Sequence, residues 1–162
     1  METIMSIIKT GKKAPAFAIP DQNNQTHKLS SYLGKWVVLY FYPRDLTPGC
    51  TTEAIDFTAL KTDFDKEDCV VFGVSPDTAE KHCKFIAKKE LSITLLTDED
   101  HAIIEKYGAW QLKKFMGKEF MGVVRSTWII DPQGKIVADW SPVKVKSHAQ
   151  IVLDTLKELK AK

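Results

Sequence analysis

The run Trp36-Val-Val-Leu-Tyr-Phe-Tyr42 constrains the fold more than any other segment of the chain. It is apolar, rich in β-branched and aromatic residues, and does not alternate with polar residues. Such a run is typical of a central strand that is covered on both faces. Pro43 ends the run, and a pattern of apolar residues at helical spacing begins after Thr47-Pro48-Gly49-Cys50. The segment therefore predicts a buried strand, a short loop and a helix.

A second unit of the same form follows. Val70–Val74 predicts another buried strand, Ser75-Pro76-Asp77 a turn, and Thr78–Lys89 a helix. In both units a Ser or Thr precedes a Pro, so the hydroxyl residue can cap a helix whose first position is occupied by Pro. Two successive strand–helix units favour an α/β sheet with crossover helices.

The last third of the chain predicts further strands and two more helices. Leu95-Leu96 is typical of a short strand, and Asp98 is expected to cap the helix that follows it. Residues 121–130 and 136–140 are strand-like and separated by a turn, and Ser147 is expected to cap a final amphipathic helix. Together these patterns predict an α/β protein with a central mixed sheet, helices on both faces and a thioredoxin-like fold.

Composition argues for one ordinary globular domain over residues 1–162. There is no low-complexity stretch, internal repeat or linker that would mark a boundary. The 23 Lys and Arg residues are interspersed with 21 Asp and Glu residues, which does not resemble the basic face of a nucleic-acid-binding protein. The longest apolar run is too short to span a membrane. We therefore expect neither nucleic acid nor membrane as a partner, and a cytoplasmic location.

The cysteine pattern narrows the chemistry. The three cysteines, Cys50, Cys69 and Cys83, include no Cys-x-x-Cys pair, and the four histidines are scattered along the chain. An odd number of cysteines without a signal-peptide pattern argues against a disulfide framework, and this spacing does not predict a zinc site. The sequence therefore indicates a reduced protein with free thiols and no metal or cofactor.

Cys50 is the strongest candidate for a reactive residue. If Thr47 is the N-cap, Cys50 is the third residue of a helix, where unpaired N–H groups and the helix dipole favour a thiolate. The alternative is a buried cysteine that only packs. A cysteine phosphatase would need Arg where Asp56 stands, and no histidine can be assigned as a protease partner. What remains is thiolate attack on a small electrophile, or redox exchange.

The segment Phe41–Ala54 closely resembles the peroxidatic-cysteine segment of peroxiredoxins, most of all the bacterioferritin comigratory protein or peroxiredoxin Q subfamily. The resemblance extends over most of the chain. It includes Gly11–Phe17, Val71–Asp77 with His82 and Phe85, Tyr107–Trp110, Lys114–Lys118 and Gly122–Asp131.

The resemblance implies that Cys50 is the peroxidatic nucleophile and that Thr47, Pro43 and Arg125 complete the peroxide site. Arg125 is a permanent cation that can stabilise a thiolate, and the Thr47 hydroxyl can orient a hydroperoxide while it caps the helix. Without the resemblance, Arg125 would be placed on the solvent face of a strand, Thr47 would be a cap only, and Pro43 a strand terminator. Glu53, in the first helical turn, either supports Arg125 or is only favourable with the helix dipole, and it stays outside the predicted site.

The implied activity is that of a thiol peroxidase in antioxidant defence and redox homeostasis. Hydrogen peroxide and organic hydroperoxides would oxidise Cys50 to a sulfenic acid, and a dithiol reductant such as thioredoxin would restore it. No cofactor is required. The chain would act as a monomer or weak dimer. The rival interpretations are a redox sensor that passes oxidation to a partner protein and an oligomeric holdase.

The resolving cysteine is the open question. Many members of the subfamily carry it five residues after the nucleophile, where this chain has Ile55. Others carry it on the helix after the second strand, where Cys83 lies, so Cys83 is the candidate resolving residue. A Cys50–Cys83 disulfide would require local unwinding around Cys50. Cys69 is expected to be structural, and if Cys83 is structural too, the chain is a one-cysteine enzyme resolved by an external thiol.

Overall fold

The computed structural model describes residues 7–162. Along this part of the chain the strands are β1 (Ala18–Pro20), β2 (Thr26–Lys28), β3 (Trp36–Phe41), β4 (Cys69–Ser75), β5 (Thr94–Thr97), β6 (Trp110–Phe115), β7 (Lys118–Val123), β8 (Ser126–Ile130) and β9 (Ile136–Trp140). The helices are α1 (Pro48–Ala59), α2 (Lys61–Lys66), α3 (Ala79–Lys89), α4 (Ala102–Lys106) and α5 (His148–Lys160), with a short 3₁₀ turn at Leu29–Tyr32.

Five of the strands form one mixed sheet in the order β5-β4-β3-β8-β9. Strands β3, β4 and β5 are parallel, whereas β8 pairs antiparallel with β3 and β9 antiparallel with β8. β3 is therefore the central strand, as its unbroken apolar run predicts. The remaining pairs, β1–β2 and β6–β7, are separate two-stranded ribbons.

The two faces of β3 belong to two different hydrophobic cores. Val38 and Tyr40 face the core that contains the buried residues of α1, α2, α3 and α5. Leu39 and Phe41 face the other core, to which α4 and the segment before β3 contribute. This alternation follows from the period of two along a strand. It confirms the prediction of a mixed sheet with helices on both faces.

Several helix starts differ from the predictions. Pro48 is the first residue of α1, as expected, but Ser75-Pro76 does not begin a helix. Thr78 caps α3 instead, where its hydroxyl accepts from the N–H of Lys81 at 3.2 Å. Ser147 stands at the N-cap position of α5 without a side-chain hydrogen bond. The Asp98 carboxylate accepts from two backbone N–H groups of α4, although the N-cap residue itself is His101.

The predicted strand over residues 121–130 is wrong as a single element. The chain leaves β7 after Val123 and enters the central sheet only at Ser126, and the N–H of Val124 bonds to the carbonyl of Ala109 at 2.7 Å. Arg125 therefore lies in a connection between two sheets. Within residues 7–162, no helix is both long and apolar enough for a membrane span.

Candidate active site

Cys50 lies at the start of α1, just beyond the end of the central strand. It is the third residue of the helix, as the sequence predicts, and only 1% of it is exposed. Its Sγ atom accepts a hydrogen bond from Nη2 of Arg125 at 3.2 Å. Helix start and guanidinium thus act on one sulfur from two elements, and both favour a negative charge there.

Arg125 reaches a second acidic group with its other terminal nitrogen. Nη1 donates to Oε1 of Glu53 at 2.7 Å. Burial opposes the charge of the guanidinium, but Glu53 and Cys50 outweigh that effect and raise the pKa of Arg125. One cation therefore bridges a thiol and a carboxyl, which fixes its plane and its distance to the sulfur.

Glu53 is almost completely buried, with 1% of the residue exposed. Burial raises its pKa to about 7, although the ion pair with Arg125 opposes the shift. Its second oxygen, Oε2, has no hydrogen-bond partner among residues 7–162. A carboxyl in these surroundings changes its protonation near neutral pH.

Gly49 allows the guanidinium to approach the helix start. A Cβ atom at this position would lie 3.3 Å from Nη2 of Arg125, which is tighter than ordinary van der Waals contact. A side chain here would therefore press on the nitrogen that donates to Cys50. This gives a steric reason for glycine at the residue before the thiol.

Thr47 is the N-cap residue of α1 by backbone geometry, but its side chain does not cap the helix. Its carbonyl accepts from the N–H of Thr51 at 2.8 Å, while its hydroxyl donates to the carbonyl of Arg44 at 2.9 Å. The prediction that the Thr47 side chain caps α1 is therefore wrong, because its hydroxyl is hydrogen-bonded to the Arg44 carbonyl instead. Pro43 is half-buried between β3 and this segment.

The three cysteines occupy distinct environments. Cys83 is exposed on α3, and its Sγ lies 3.1 Å from the carbonyl of Gln22. Cys69 is buried as the first residue of β4, and burial raises its pKa to about 12, which fits a packing role. The structure brings Cys50, Arg125 and Glu53 together, whereas the thiol of Cys83 faces a different partner.

Two residues near the site lie outside the predicted set. Glu53 lies three residues after Cys50, a spacing that places two helical side chains on the same face, and its contact with Arg125 agrees with the first of the two alternatives given for it. Lys113 of β6 donates from Nζ to the carbonyl of Val123 at 2.8 Å. Burial and then Arg125 lower the pKa of Lys113, whereas Cys50 raises it. No local pattern in the sequence marks that lysine.

The position and the contacts of Cys50 define a class of protein. An α/β sheet carries a cysteine at a helix start, beyond the carboxyl end of its central strand, and a partly buried guanidinium contacts the sulfur. Sites in open α/β sheets commonly occupy this position. The class is that of α/β proteins whose chemistry is carried by a cysteine thiolate.

Comparison with known proteins gives the family. The AhpC/TSA family matches residues 10–139. Peroxiredoxin Bcp of Bacillus subtilis (strain 168) is 48% identical over 155 residues, covering 96% of this chain and 99% of that protein. Peroxiredoxin Bcp of Escherichia coli (strain K12) is 40% identical over 154 residues, covering 95% and 99%.

Solved structures agree. The bacterioferritin comigratory protein of Xanthomonas campestris, studied for its alkyl peroxide reduction activity, superposes with a TM-score of 0.85 at 36% identity and covers 94% of this chain and 96% of its own. Peroxidoxin BcpB of Mycobacterium tuberculosis superposes with a TM-score of 0.82 at 33% identity, covering 93% and 97%.

The chain belongs to the AhpC/TSA family, and relatives over nearly its full length include Bcp peroxiredoxins. The predicted thioredoxin-like fold and the resemblance to peroxiredoxins are thereby confirmed. The protein is a thiol peroxidase, an oxidoreductase with a hydroperoxide substrate and a need for a reductant.

Proposed function

We propose that Cys50 is the peroxidatic nucleophile of this enzyme. The observation that carries the proposal is the contact between its sulfur and Nη2 of Arg125 at 3.2 Å. The thiolate attacks one oxygen of ROOH, an S–O bond forms, and the O–O bond breaks. The departing alkoxide takes up a proton and leaves as alcohol or water. Cys50 is oxidised to the sulfenic acid and the peroxide is reduced.

Thr47, Pro43 and Arg125 complete the site in this proposal. The Thr47 hydroxyl donates its hydrogen bond to the Arg44 carbonyl. Its oxygen can therefore accept a hydrogen bond from the O–H group of the hydroperoxide. The first-turn N–H groups of Gly49 and Cys50 have no intrahelical acceptor and are suited to the charge that develops on the leaving oxygen. Pro43 shields the sulfur from bulk water.

The experiment is a Cys50→Ser variant mixed with hydrogen peroxide and, separately, with an organic hydroperoxide. Peroxide consumption should fall to the uncatalysed rate, while far-ultraviolet circular dichroism shows a folded protein. Cys69→Ser is the matched control, because that thiol is buried and has a raised pKa. Retained consumption in Cys50→Ser would exclude Cys50 as the nucleophile.

We further propose that Cys83 resolves the sulfenic acid. Its thiol is exposed, so a disulfide at this position is open to an external reductant, whereas Cys69 is buried at a strand start. The sulfenic acid and the Cys83 thiol form an S–S bond and release water. The alternative is a one-cysteine enzyme, in which an external thiol takes this step.

Mass spectrometry after one equivalent of peroxide distinguishes resolution by Cys83 from a one-cysteine enzyme. The parent should lose two hydrogens, and peptide mapping should find a Cys50–Cys83 disulfide, whereas Cys83→Ser should gain one oxygen. A parent that only gains oxygen would leave a one-cysteine enzyme.

We also propose a reductant, a cellular location and an oligomeric state for the enzyme. A dithiol protein such as thioredoxin would reduce the oxidised form, and the cytoplasm would keep the three thiols reduced. The enzyme would act as a monomer or weak dimer, independently of nucleic acid and membranes, in keeping with its net charge of +2. Turnover with thioredoxin, followed by NADPH oxidation with thioredoxin reductase, tests the reductant; peroxide-dependent turnover is required.

A further inference from the structure

A buried polar network lies between the Cys50 segment and helix α3. Nδ1 of His82 lies 2.6 Å from Oδ2 of Asp45, and Nε2 lies 3.0 Å from the carbonyl of Leu96. The hydroxyl of Tyr42 donates to Oδ1 of Asp45 at 2.6 Å. Both nitrogens of His82 and both oxygens of Asp45 are thus engaged with protein groups. His82 is completely inaccessible and Asp45 is 6% exposed.

The network also ties the backbone of the Cys50 segment to the end of β4. The N–H of Asp45 donates to Oδ2 of Asp77 at 2.8 Å, and the hydroxyl of Ser75 donates to the same oxygen at 2.7 Å. Asp45 is therefore held through its side chain by α3 and through its backbone by the turn before α3. The loop ahead of Cys50 has few ways to move while these bonds persist.

The Asp45–His82 contact is a short hydrogen bond between two buried side chains, with 2.6 Å between Nδ1 and Oδ2. The Leu96 carbonyl can only accept, so Nε2 of His82 donates to it. Breaking a buried pair of this kind from one side is costly, because the other partner is left buried without compensation.

The two ends of this pair stand next to the two thiols of the proposed reaction. Asp45 is five residues before Cys50, and His82 is the residue before Cys83. Cys50 is buried against Arg125, whereas Cys83 is exposed against the carbonyl of Gln22. A disulfide requires Cα atoms about 4.4–6.8 Å apart with converging Cβ vectors. Bringing the two thiols together therefore displaces the Cys50 segment relative to the first turns of α3, and this displacement strains the Asp45–His82 bond.

We propose that Asp45 and His82 form a latch that holds the Cys50 segment against α3 and limits the rate at which the sulfenic acid at Cys50 reaches Cys83. The latch rests on the proposed role of Cys83 as the resolving residue. His82 and Asp45 are positioning residues in this scheme, since neither contacts the sulfur or the peroxide. The closed latch keeps Cys50 in the geometry that reacts with peroxide, and its opening allows the disulfide to form.

Two substitutions at His82 separate the latch bond from the rest of the side chain. In His82→Gln the amide nitrogen takes the position of Nε2, so the bond to Leu96 is retained and the bond to Asp45 is lost. In His82→Asn the amide nitrogen takes the position of Nδ1, so the reverse applies. Val152→Ala, a truncation in the core under α5, is the control for a general loss of stability.

The first measurement is hydrogen exchange of backbone amides over residues 43–52 in the reduced proteins, without peroxide. We expect exchange about tenfold faster in His82→Gln and within about twofold of the parent in His82→Asn and Val152→Ala. The second is the rate of the Cys50–Cys83 disulfide after one equivalent of peroxide, which should rise in His82→Gln alone. Tyr42→Phe, which removes only the hydroxyl bound to Asp45, should change both in the same direction and keeps the test decisive if His82→Gln does not fold.

The outcomes distinguish failure of the latch from failure of the proposed function. Equal exchange rates over residues 43–52 in His82→Gln, Tyr42→Phe and the parent would overturn the latch. The proposed role of Cys83 as the resolving residue would not be affected by that result. Faster exchange throughout the chain, as in a generally destabilised variant, would also overturn it. A parent that forms no Cys50–Cys83 disulfide would exclude Cys83 as the resolving residue, and with it the control of that step.

Discussion

The guanidinium of Arg125 donates one hydrogen bond to the thiol of Cys50 and another to Glu53. In the proposed mechanism the rate at which Cys50 reacts with peroxide depends on both contacts. Arg125→Lys keeps the positive charge but offers a compact ammonium group that cannot span both acceptors. We expect the second-order rate constant with hydrogen peroxide to fall by about 10²–10³. Stopped-flow measurement of the first oxidation step tests this. A rate within about threefold of the parent would show that charge alone suffices.

Thr47 offers a test of substrate orientation. Thr47→Val has nearly the same shape but no hydroxyl, whereas Thr47→Ser keeps the hydroxyl and loses a methyl group. Because the proposed bond to the hydroperoxide involves a charged reaction centre, we expect Thr47→Val to react about 10–100-fold more slowly, and Thr47→Ser to remain near the parent. The rate constant of sulfenic acid formation is the measurement. Equal losses in both variants would indicate a packing role.

At the residue scale the sequence predicts the position of Cys50 in the first turn of a helix, which the structure confirms, but not the position of Arg125. The position of Cys50 follows from local rules, because Thr47 and Pro48 mark the helix start. Arg125 comes from 75 residues further along the chain, and its placement depends on the break between β7 and β8. The local pattern favours a solvent-facing strand residue there, and only the family resemblance gives Arg125 its proposed role. For Glu53 the sequence left two alternatives, and the contact with Arg125 decides between them only once the fold places Arg125 beside α1.

Among the secondary-structure elements, β3 and β4 position α1 through one tight contact. Gly73 of β4 lies opposite Tyr40 of β3, and a Cβ at Gly73 would be 2.8 Å from the Tyr40 ring. Tyr40 stacks in turn on Phe57 of α1, with ring centroids 4.7 Å apart. Gly73 is thus part of the packing that supports the helix bearing Cys50.

Gly73→Ala is therefore expected to lower the free energy of unfolding by about 1–3 kcal/mol, since the added methyl group forces the Tyr40 ring to move. Urea denaturation measures the change. Gly122→Ala in β7 is the matched control, because its nearest contact is a flexible lysine side-chain carbon at 3.1 Å. A loss in the control as large as that in Gly73→Ala would mean that strand glycines matter here for another reason.

The elements that the sequence predicts well are those with their own periodicity. The apolar runs of β3 and β4 and the amphipathic helices α3 and α5 follow from local patterns. The ribbons β1–β2 and β6–β7 were not predicted, because a two-stranded ribbon has no continuous apolar face to mark it. Much of β6–β7 is exposed, including Leu112 and Phe115, so neither alternation nor burial distinguishes it.

For the molecule as a whole, two buried groups couple stability to pH with opposite signs. His148 is 3% exposed, its Nε2 lies 2.8 Å from the Thr127 hydroxyl, and burial together with Arg125 lowers its pKa to about 4. The unfolded chain therefore binds a proton there more readily. The stability that His148 contributes is present above about pH 6.5 and is lost as the pH falls toward 4.

Glu53 has the opposite linkage. Its pKa rises from 4.5 to about 7 on folding, so the folded state holds the proton more tightly than the unfolded state. The associated stability is present below about pH 4.5 and is lost as the pH rises through 7. Between pH 4.5 and 6.5 the two slopes oppose each other. In the parent the two effects therefore largely cancel over this interval, and the free energy of unfolding changes little with pH.

Single substitutions should expose each slope. His148→Gln keeps an amide nitrogen near Thr127 but does not titrate, and Glu53→Gln keeps an oxygen for Arg125 but carries no charge. The free energy of unfolding should then fall with rising pH in His148→Gln and rise in Glu53→Gln, each relative to the parent, by up to roughly 3 kcal/mol over the titration range. Urea denaturation at pH 4.5, 5.5, 6.5 and 7.5 gives the curves, and the double variant should remove both slopes. Curves that run parallel to the parent would show that neither His148 nor Glu53 changes its protonation on folding as inferred.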